Sequence, residues 1–406
     1  MSEVDGPKGQ DLWRRADRVI PGGATYRSRS ARMAGDGNLP GFIESASGCR
    51  ITDVDGRSYI DFICTNGPNL LGYLHPEVEE AAQRQAKQAM LTSFFPPALV
   101  EFAERLVQRS PEFGWAIAVK NGSDATALAA RVMRAATQRP LVLLFNNAYH
   151  GFEPEFMARP SDPAPADNLR RVSWNDAEAV HELARTEGER LAGVLLNPLD
   201  QNPMKPTREA SPEFLAAIED LRRTTGARLA IDDVRHGFRL HPQGSHKFLG
   251  VQPDLLCLGK ALGNGHSTAA LLGVEDLREP CERLFFTSTF IFDSVAFRAA
   301  MKTLEIYNRD QVFDRLVATG ERLKQGFLKA ADATGHQIDY SGPVTMPTLL
   351  FEDDSDNQRA RRFAREAALR GAIFHPSLNW FVSAAHDDES IDQAIEIASE
   401  AFRATT

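Results

Sequence analysis

The chain has 406 residues, 43% of them apolar and 25% charged, with a formal net charge of −9. That length buries a large core in two or more lobes, and the composition is that of an ordinary soluble globular protein. Scattered basic residues on an acidic chain argue against a nucleic-acid binder, and no apolar run approaches the roughly 18 residues that span a bilayer.

In chain order, the N-terminal "MSEVDGPKGQDLWRR" lacks the apolar centre of a signal peptide. The first sixty residues read as an arm, "RADRVIPGGATYRSR", and then an antiparallel hairpin, "GCRITDVDGRSYIDF", whose alternation is centred on a two-residue turn at Asp55-Gly56. From about residue 75 helices alternate with short apolar strands: "AIAV" (116–119), "LVLLF" (141–145), "AGVLL" (192–196), "LAID" (229–232), "LLCL" (255–258) and "AALLG" (269–273). Several lack polar alternation, as expected of strands covered by helices on both faces. The order predicts an α/β domain with a mostly parallel sheet and ligands at the strand carboxyl ends. A helical pattern from about Ala296 to Thr334 leads into a smaller α+β lobe. The expected division is an arm and hairpin over 1–60, a large domain over 61–300, and a C-terminal domain over 301–406 that packs with the N-terminal segment. Cys49, Cys64, Cys257 and Cys281 form no CxxC pair, which fits free thiols in a reducing cytoplasm and offers no metal site.

Chemistry-bearing residues fall at the strand ends. In "VKNGSDAT" a strand runs through Asn121 and Gly122 to Ser123 and a helix; such a start binds an anion through its backbone N–H groups, or is an ordinary cap by Ser123 or Asp124. In "NNAYHGF", Tyr149 can lie flat on a heterocycle, a contact worth about 0.5–1.5 kcal/mol beyond burial, or can be a half-buried core residue, while His150 reads as structural. "LAIDDVRHGFRL" ends an apolar strand in Asp232 and Asp233. A buried Asp232 can keep a ring nitrogen protonated, with Val234 on the same side of the strand beneath the ring; the alternative is a salt bridge to Arg235 or Arg239. In "LLCLGKALGNG" Lys260 is not a P-loop lysine, because Asp254 and Ala261 stand where a glycine and a Ser or Thr are required. A desolvated strand-end lysine is a Schiff-base nucleophile, although most lysines are surface charges.

Phosphate cup, stacking ring, ring-nitrogen acid and amine thus occur at successive strand ends. With them, "VIPGG", "DVDGRSYIDF", "GYLHPEV", "NGSDAT", "YHGF", "DDVRHGFR", "LGKALGNG" and "FVSAAH" follow family order over nearly the whole chain. The sequence resembles the class III aminotransferases of the fold-type I pyridoxal-phosphate (PLP) enzymes, with a layout most like glutamate-1-semialdehyde aminomutase. The resemblance implies that Lys260 forms the Schiff base with PLP, Asp232 pairs with the pyridine nitrogen, Val234 and Tyr149 sandwich the ring, and Gly122 and Ser123 cup the phosphate. It also implies a homodimer in which Thr289 of "FFTSTFIFDSVAF" reaches the phosphate of the neighbouring subunit, and an Arg29 that grips a substrate carboxylate.

The chain departs from the family where a substrate wall is expected. "LLNPLDQNPM" sets Asn197 in place of a glutamate and adds Asp200, Gln201 and Asn202; "PSLNWFVS" lacks the acidic segment of the aminomutase; "SFFPPALVE" and "GNGHSTAA" alter the gate and the glycine run; and Asp233 replaces a glutamate. The reading that follows is a PLP-dependent aminotransferase. Its substrates are small molecules: a donor such as glutamate, held by Arg29, and an aldehyde or ketone on an amino sugar, as in the biosynthesis of aminoglycoside antibiotics. Asn197 and Asp200 are the expected substrate contacts. The competing readings are an aminomutase or epimerase and, from another class, a PLP-binding protein without turnover. A nicotinamide dehydrogenase is disfavoured, since no GxGxxG follows the first strand.

Overall fold

The computed structural model describes residues 4–23, 38–153, 156, 167–200, 202–203 and 205–405. Its strands in chain order are β1 (Ile43–Ser47), β2 (Arg50–Asp53), β3 (Ser58–Asp61), β4 (Trp115–Val119), β5 (Leu141–Phe145), β6 (Leu169–Val172), β7 (Leu191–Leu196), β8 (Arg228–Asp232), β9 (Leu255–Leu258), β10 (Ala269–Gly273), β11 (Ile338–Ser341), β12 (Thr348–Phe351) and β13 (Ala372–Ile373). The chain forms two units, one of Met1–His75, Pro203–Pro206 and Asp314–Thr406, the other of Pro76–Asn202 and Thr207–Phe313.

In the first unit β2 and β3 form the expected hairpin, with Arg50 opposite Ile60. Its turn is longer than two residues, running from Val54 to Arg57. Asp53 sets that length: its Oδ1 accepts the N–H groups of Asp55 (2.9 Å) and Arg57 (2.8 Å), its Oδ2 the hydroxyl of Tyr59 (2.7 Å). Gly56 supplies the left-handed conformation at φ +89°. β13 joins β3 in parallel, pairing Ala372 with Ile60, so sequence from both ends of the chain shares one sheet. Beneath it Val4, Leu39, Ile51, Tyr59, Ala364, Ala368 and Ile373 form one core cluster.

The second unit holds, among the described residues, a seven-stranded sheet in the order β4-β10-β9-β8-β7-β5-β6. β10 is antiparallel to both neighbours and the remaining pairs are parallel. Every residue of β5, β7, β9 and β10 is buried, which is why these segments read as unbroken apolar runs. All six strands expected in this unit occur. β6 is an addition, concealed in the sequence because its "LRRV" lies at the sheet edge, where two arginines are tolerated. The helices between strands have explicit ends: Ser211 Oγ accepts the N–H of Phe214 at the start of Pro212–Thr225, and Gly226 closes it at φ +73°. The long helical pattern after Ala296 is two helices, Ser294–Arg309 and Val312–Ala333, separated at Gln311 with φ +48°. Among the described residues no helix is long and apolar enough to cross a membrane.

Just past β8 lies Asp233, fully buried. Its carboxylate accepts the backbone N–H of Ser245 at 2.9 Å and the Ser245 hydroxyl. Burial pushes its pKa up to about 6, against the pull of those two donors and of Arg109. Ser245→Ala removes the hydroxyl donor and raises that carboxyl further. The variant's deficit is small near pH 5, where the group is protonated in both proteins, and grows as pH rises through the two folded values to about 1.5–3 kcal/mol at pH 8. Denaturant melts at the two pH values measure the difference, and an equal deficit at both would contradict this role.

Candidate functional site

Because β4, β5, β7, β8 and β9 point the same way, their carboxyl ends share one edge of the sheet. The residues singled out from sequence at 121–123, 149–151, 197, 232–234 and 259–260 all follow these ends, the position where ligands of open α/β sheets bind.

Small residues shape the floor of this edge. A Cβ added to Gly122 would lie 2.4 Å from Val234 Cγ1, and one added to Gly259 would lie 3.3 Å from Val234 Cγ1, 3.4 Å from Ala269 Cβ and 3.8 Å from Gly122 Cα. Val234 therefore fills the space that three strand ends leave open. Gly151, at φ +110°, lets its loop pass so close to Ser123 that a Cβ would sit 2.6 Å from the Ser123 Oγ. Helix Gly122–Thr137 begins here, and its start is held from inside: Asp124 Oδ2 accepts the N–H groups of Asn121 (2.8 Å) and Lys120 (3.1 Å). The N-cap is Asn121, in a reciprocal capping box with Asp124, and the Ser123 hydroxyl is not used for it.

Asp232 is buried at 6% exposure. Its Oδ1 accepts the N–H of Val234 at 3.1 Å, and its Oδ2 lies 2.7 Å from His150 Nδ1. His150 is buried in turn, its carbonyl fixed by the Thr126 hydroxyl at 2.5 Å. An ionised carboxylate has about four acceptor positions, so Asp232 keeps capacity for a further N–H donor. Lys260 follows Gly259 directly, half-buried and in the left-handed region at φ +45°. That conformation costs a non-glycine residue about 1–2 kcal/mol and belongs to the turn Lys260–Gly263 that ends β9. His236, buried past β8, has its pKa held well below the ordinary imidazole value by burial first, then by the charges of Arg235 and Lys260.

Of the other expected residues, Tyr149 is half exposed, adjoining His150. Asn197 is buried and its Nδ2 donates to the Leu199 carbonyl. Asp200 belongs to an excursion bridged at Leu199 and Glu209; its N–H bonds to Arg208 O (3.1 Å) and its Oδ1 accepts from Asn202 N (3.1 Å). Thr289 is exposed in the loop that ends at Asp293, and Asp293 pairs with Lys120 Nζ at 2.9 Å beside the helix start. Arg29 and Gln201 lie outside the described residues. Sequence reasoning missed the links His150 to Asp232 and Lys120 to Asp293. Neither carries a local signal: His150 follows β5, which β7 separates from the acid's strand β8, and Lys120 and Asp293 are 173 residues apart.

The arrangement suits a flat heterocycle bearing a phosphate. An N-terminal helix turn with a glycine offers anion-binding N–H groups, Val234 gives a flat apolar floor, and Asp232 offers an acceptor to a ring N–H. An amine stands at the neighbouring strand end.

Comparison with known proteins agrees with this reading. The family Aminotransferase class-III matches residues 32–402. An aminopentol aminotransferase of Sphingopyxis macrogoltabida is 34% identical over 99% of this chain and 95% of its own length. A glutamate-1-semialdehyde 2,1-aminomutase of Syntrophobacter fumaroxidans is 31% identical, covering 96% of each. The solved structure of the PLP internal aldimine form of the FumI protein of Sphingopyxis sp. MTA144 superposes with a TM-score of 0.94 at 34% identity, covering 98% of this chain and 96% of that one.

Gly122→Ala drives a methyl group into Val234 and costs about 1–3 kcal/mol. Since Val234→Ala opens the same space, the double variant loses less than the two single losses combined. Unfolding titrations of the four proteins test this, and strictly additive losses would show that the two positions do not meet.

Proposed function

The chain belongs to the class III aminotransferases, and on that premise we propose that the sheet edge around Asp232 and Lys260 binds PLP and moves an amino group between a donor and a hydroxyl-rich carbonyl compound. The observation that carries the proposal is Asp232, a carboxylate buried, oriented by His150 and adjoining the strand end that presents Lys260.

When bound, PLP supplies a protonated ring that draws electron density from the substrate carbon. The N–H groups at Gly122 and Ser123 hold its phosphate; Val234 supports one ring face and Tyr149 covers the other. Asp232 keeps the proton on the ring nitrogen, and the hydrogen bond from His150 keeps the carboxylate from turning away. Lys260 Nζ takes the proton from the substrate carbon and returns it one position along, as a general base and then acid.

The working form is a homodimer in which Thr289 reaches the partner's phosphate. Support comes from an exposed aromatic surface on the second unit: Phe94 and Phe285 are 84% and 82% exposed. The segments that carry them adjoin, with Phe95 and Phe292 at 4.9 Å and Ser294 N bonded to Met90 O at 3.1 Å. A surface of this kind marks an interface. The four cysteines are free thiols, which supports a cytoplasmic location.

For substrate, the aminopentol in the relative's name is an amine rich in hydroxyl groups. Together with the polar excursion at Asp200 and Asn202 it supports an amino-sugar aldehyde as the acceptor, of the kind found in aminoglycoside antibiotic biosynthesis, because each buried hydroxyl needs a partner. Arg29 grips the carboxylate of a donor such as glutamate. The 31% identical aminomutase supports the second reading, return of the amino group to the same molecule.

Asp232→Asn leaves PLP bound but lowers kcat by about ten- to a hundredfold or more, the loss of a charge-assisted bond; near wild-type turnover would remove Asp232 from its role. Mixed dimers of Lys260→Ala with Thr289→Ala subunits regain activity if sites are shared, whereas none at any ratio, with each parent inactive, would refute sharing. Conversion of the PLP form to its aminated form is followed by absorbance with amino sugars, polyhydroxylated amines and glutamate-1-semialdehyde. Response to the first two supports the substrate class, and response to the semialdehyde alone favours the aminomutase.

A further inference from the structure

The sheet order places β7 between β5 and β8. His150 stands in the turn beyond β5, yet its Nδ1 reaches Asp232 Oδ2 at the end of β8, at 2.7 Å. Its imidazole therefore extends across the end of β7, where the chain places Asn197. The register of β7 and β8 pairs Leu196 with Ile231. The next residues, Asn197 and Asp232, stand side by side and project to the same face.

Both His150 and Asn197 are buried at 2% exposure, and each keeps one polar atom without a hydrogen-bond partner: Nε2 of the imidazole and Oδ1 of the amide. Their chemistry is fixed by the bonds they do make. Asp232 as a carboxylate only accepts, so the proton of the 2.7 Å bond is on His150 Nδ1, and the Nε2 of a neutral imidazole then carries the lone pair. Asn197 spends a hydrogen of Nδ2 on the Leu199 carbonyl, so the end left over is an acceptor too. Two neighbouring buried acceptors cannot satisfy each other; both require a donor. A water molecule brings two. Nδ1 of His236, in the turn after β8, is a third buried atom without a partner, and three partners are what a buried water commonly has.

We infer that one ordered water bridges His150 Nε2 and Asn197 Oδ1 behind Asp232, making Asn197 a positioning residue for the carboxylate. The water site stands on the geometry alone; its effect on turnover rests on the reading of Asp232 given above. By donating to Nε2 the water excludes the imidazole tautomer that carries its proton there, and so keeps Nδ1–H aimed at Asp232. In the other tautomer two lone pairs would face each other across the bond. Asn197 thereby acts behind the acid instead of on the substrate.

A crystal structure of the holoenzyme at high resolution tests the site itself, and a water within hydrogen-bond distance of both atoms is expected. Nitrogen NMR of His150 in the cofactor-free protein tests its consequence independently of any activity. The wild-type chain and Asn197→Asp, which keeps an acceptor, show a single Nδ1-protonated tautomer, while Asn197→Leu shows a mixture. In the loaded enzyme Asn197→Leu lowers kcat by about tenfold with the donor KM within about twofold, and Asn197→Asp restores most of the loss. A dry gap between the two atoms, Asn197 Oδ1 bonded to the cofactor, or unchanged His150 signals in Asn197→Leu would each overturn the inference. A water in place with no change in kcat would instead refute its link to Asp232 while leaving the PLP site assignment to its own tests.

Discussion

Everything at the sheet edge depends on keeping a carboxylate charged where water is largely excluded. An ionised Asp232 at 6% exposure would be costly without donors, and the fold supplies them from two directions. The N–H of Val234 comes from its own turn, and the imidazole of His150 comes from the strand end beyond β7. The Thr126 hydroxyl ties His150 to the helix that starts at Gly122. One hydrogen-bonded line thus couples the acid, the imidazole and the helix that starts at Gly122, so that moving any of them disturbs the others.

Steric constraint does the rest. Val234 fits at this edge only because Gly122, Gly259 and Ala269 leave it room, and these come from β4, β9 and β10, the strands on the far side of β8. Hydrogen bonding therefore fixes the site from the β5 and β7 side and close packing fixes it from the other. Lys260, held at φ +45°, is one of several left-handed non-glycine residues at this edge, with Asn147, Phe238 and Asn264. Such strain persists where the surroundings over-determine it, and it gathers at sites of chemistry.

Much of this was legible in the sequence. The apolar strands betrayed themselves by lacking alternation, and the residues of the edge could be found because each lies within a few residues of the end of such a run. Turns were less readable. The hairpin at Asp55-Gly56 lengthened because a side chain outside the turn, Asp53, holds two of its N–H groups, and the helical pattern after Ala296 gave no warning of the left-handed Gln311. Hidden most completely were partnerships between distant segments. His150 looked structural by itself; it gains its role only because the strand order carries it over Asn197 to an acid 82 residues away. Strand order is a property of the folded sheet and has no signature in either local segment.

The central claim is that the amine at the end of β9 is the one that holds the cofactor. Its most direct test is to reduce the PLP-loaded protein with borohydride, digest it and locate the covalently retained pyridoxal group by mass spectrometry. The account predicts the group on the peptide containing Lys260 and on no other. Retention on another lysine, with Lys260 unmodified in an active preparation, would contradict it.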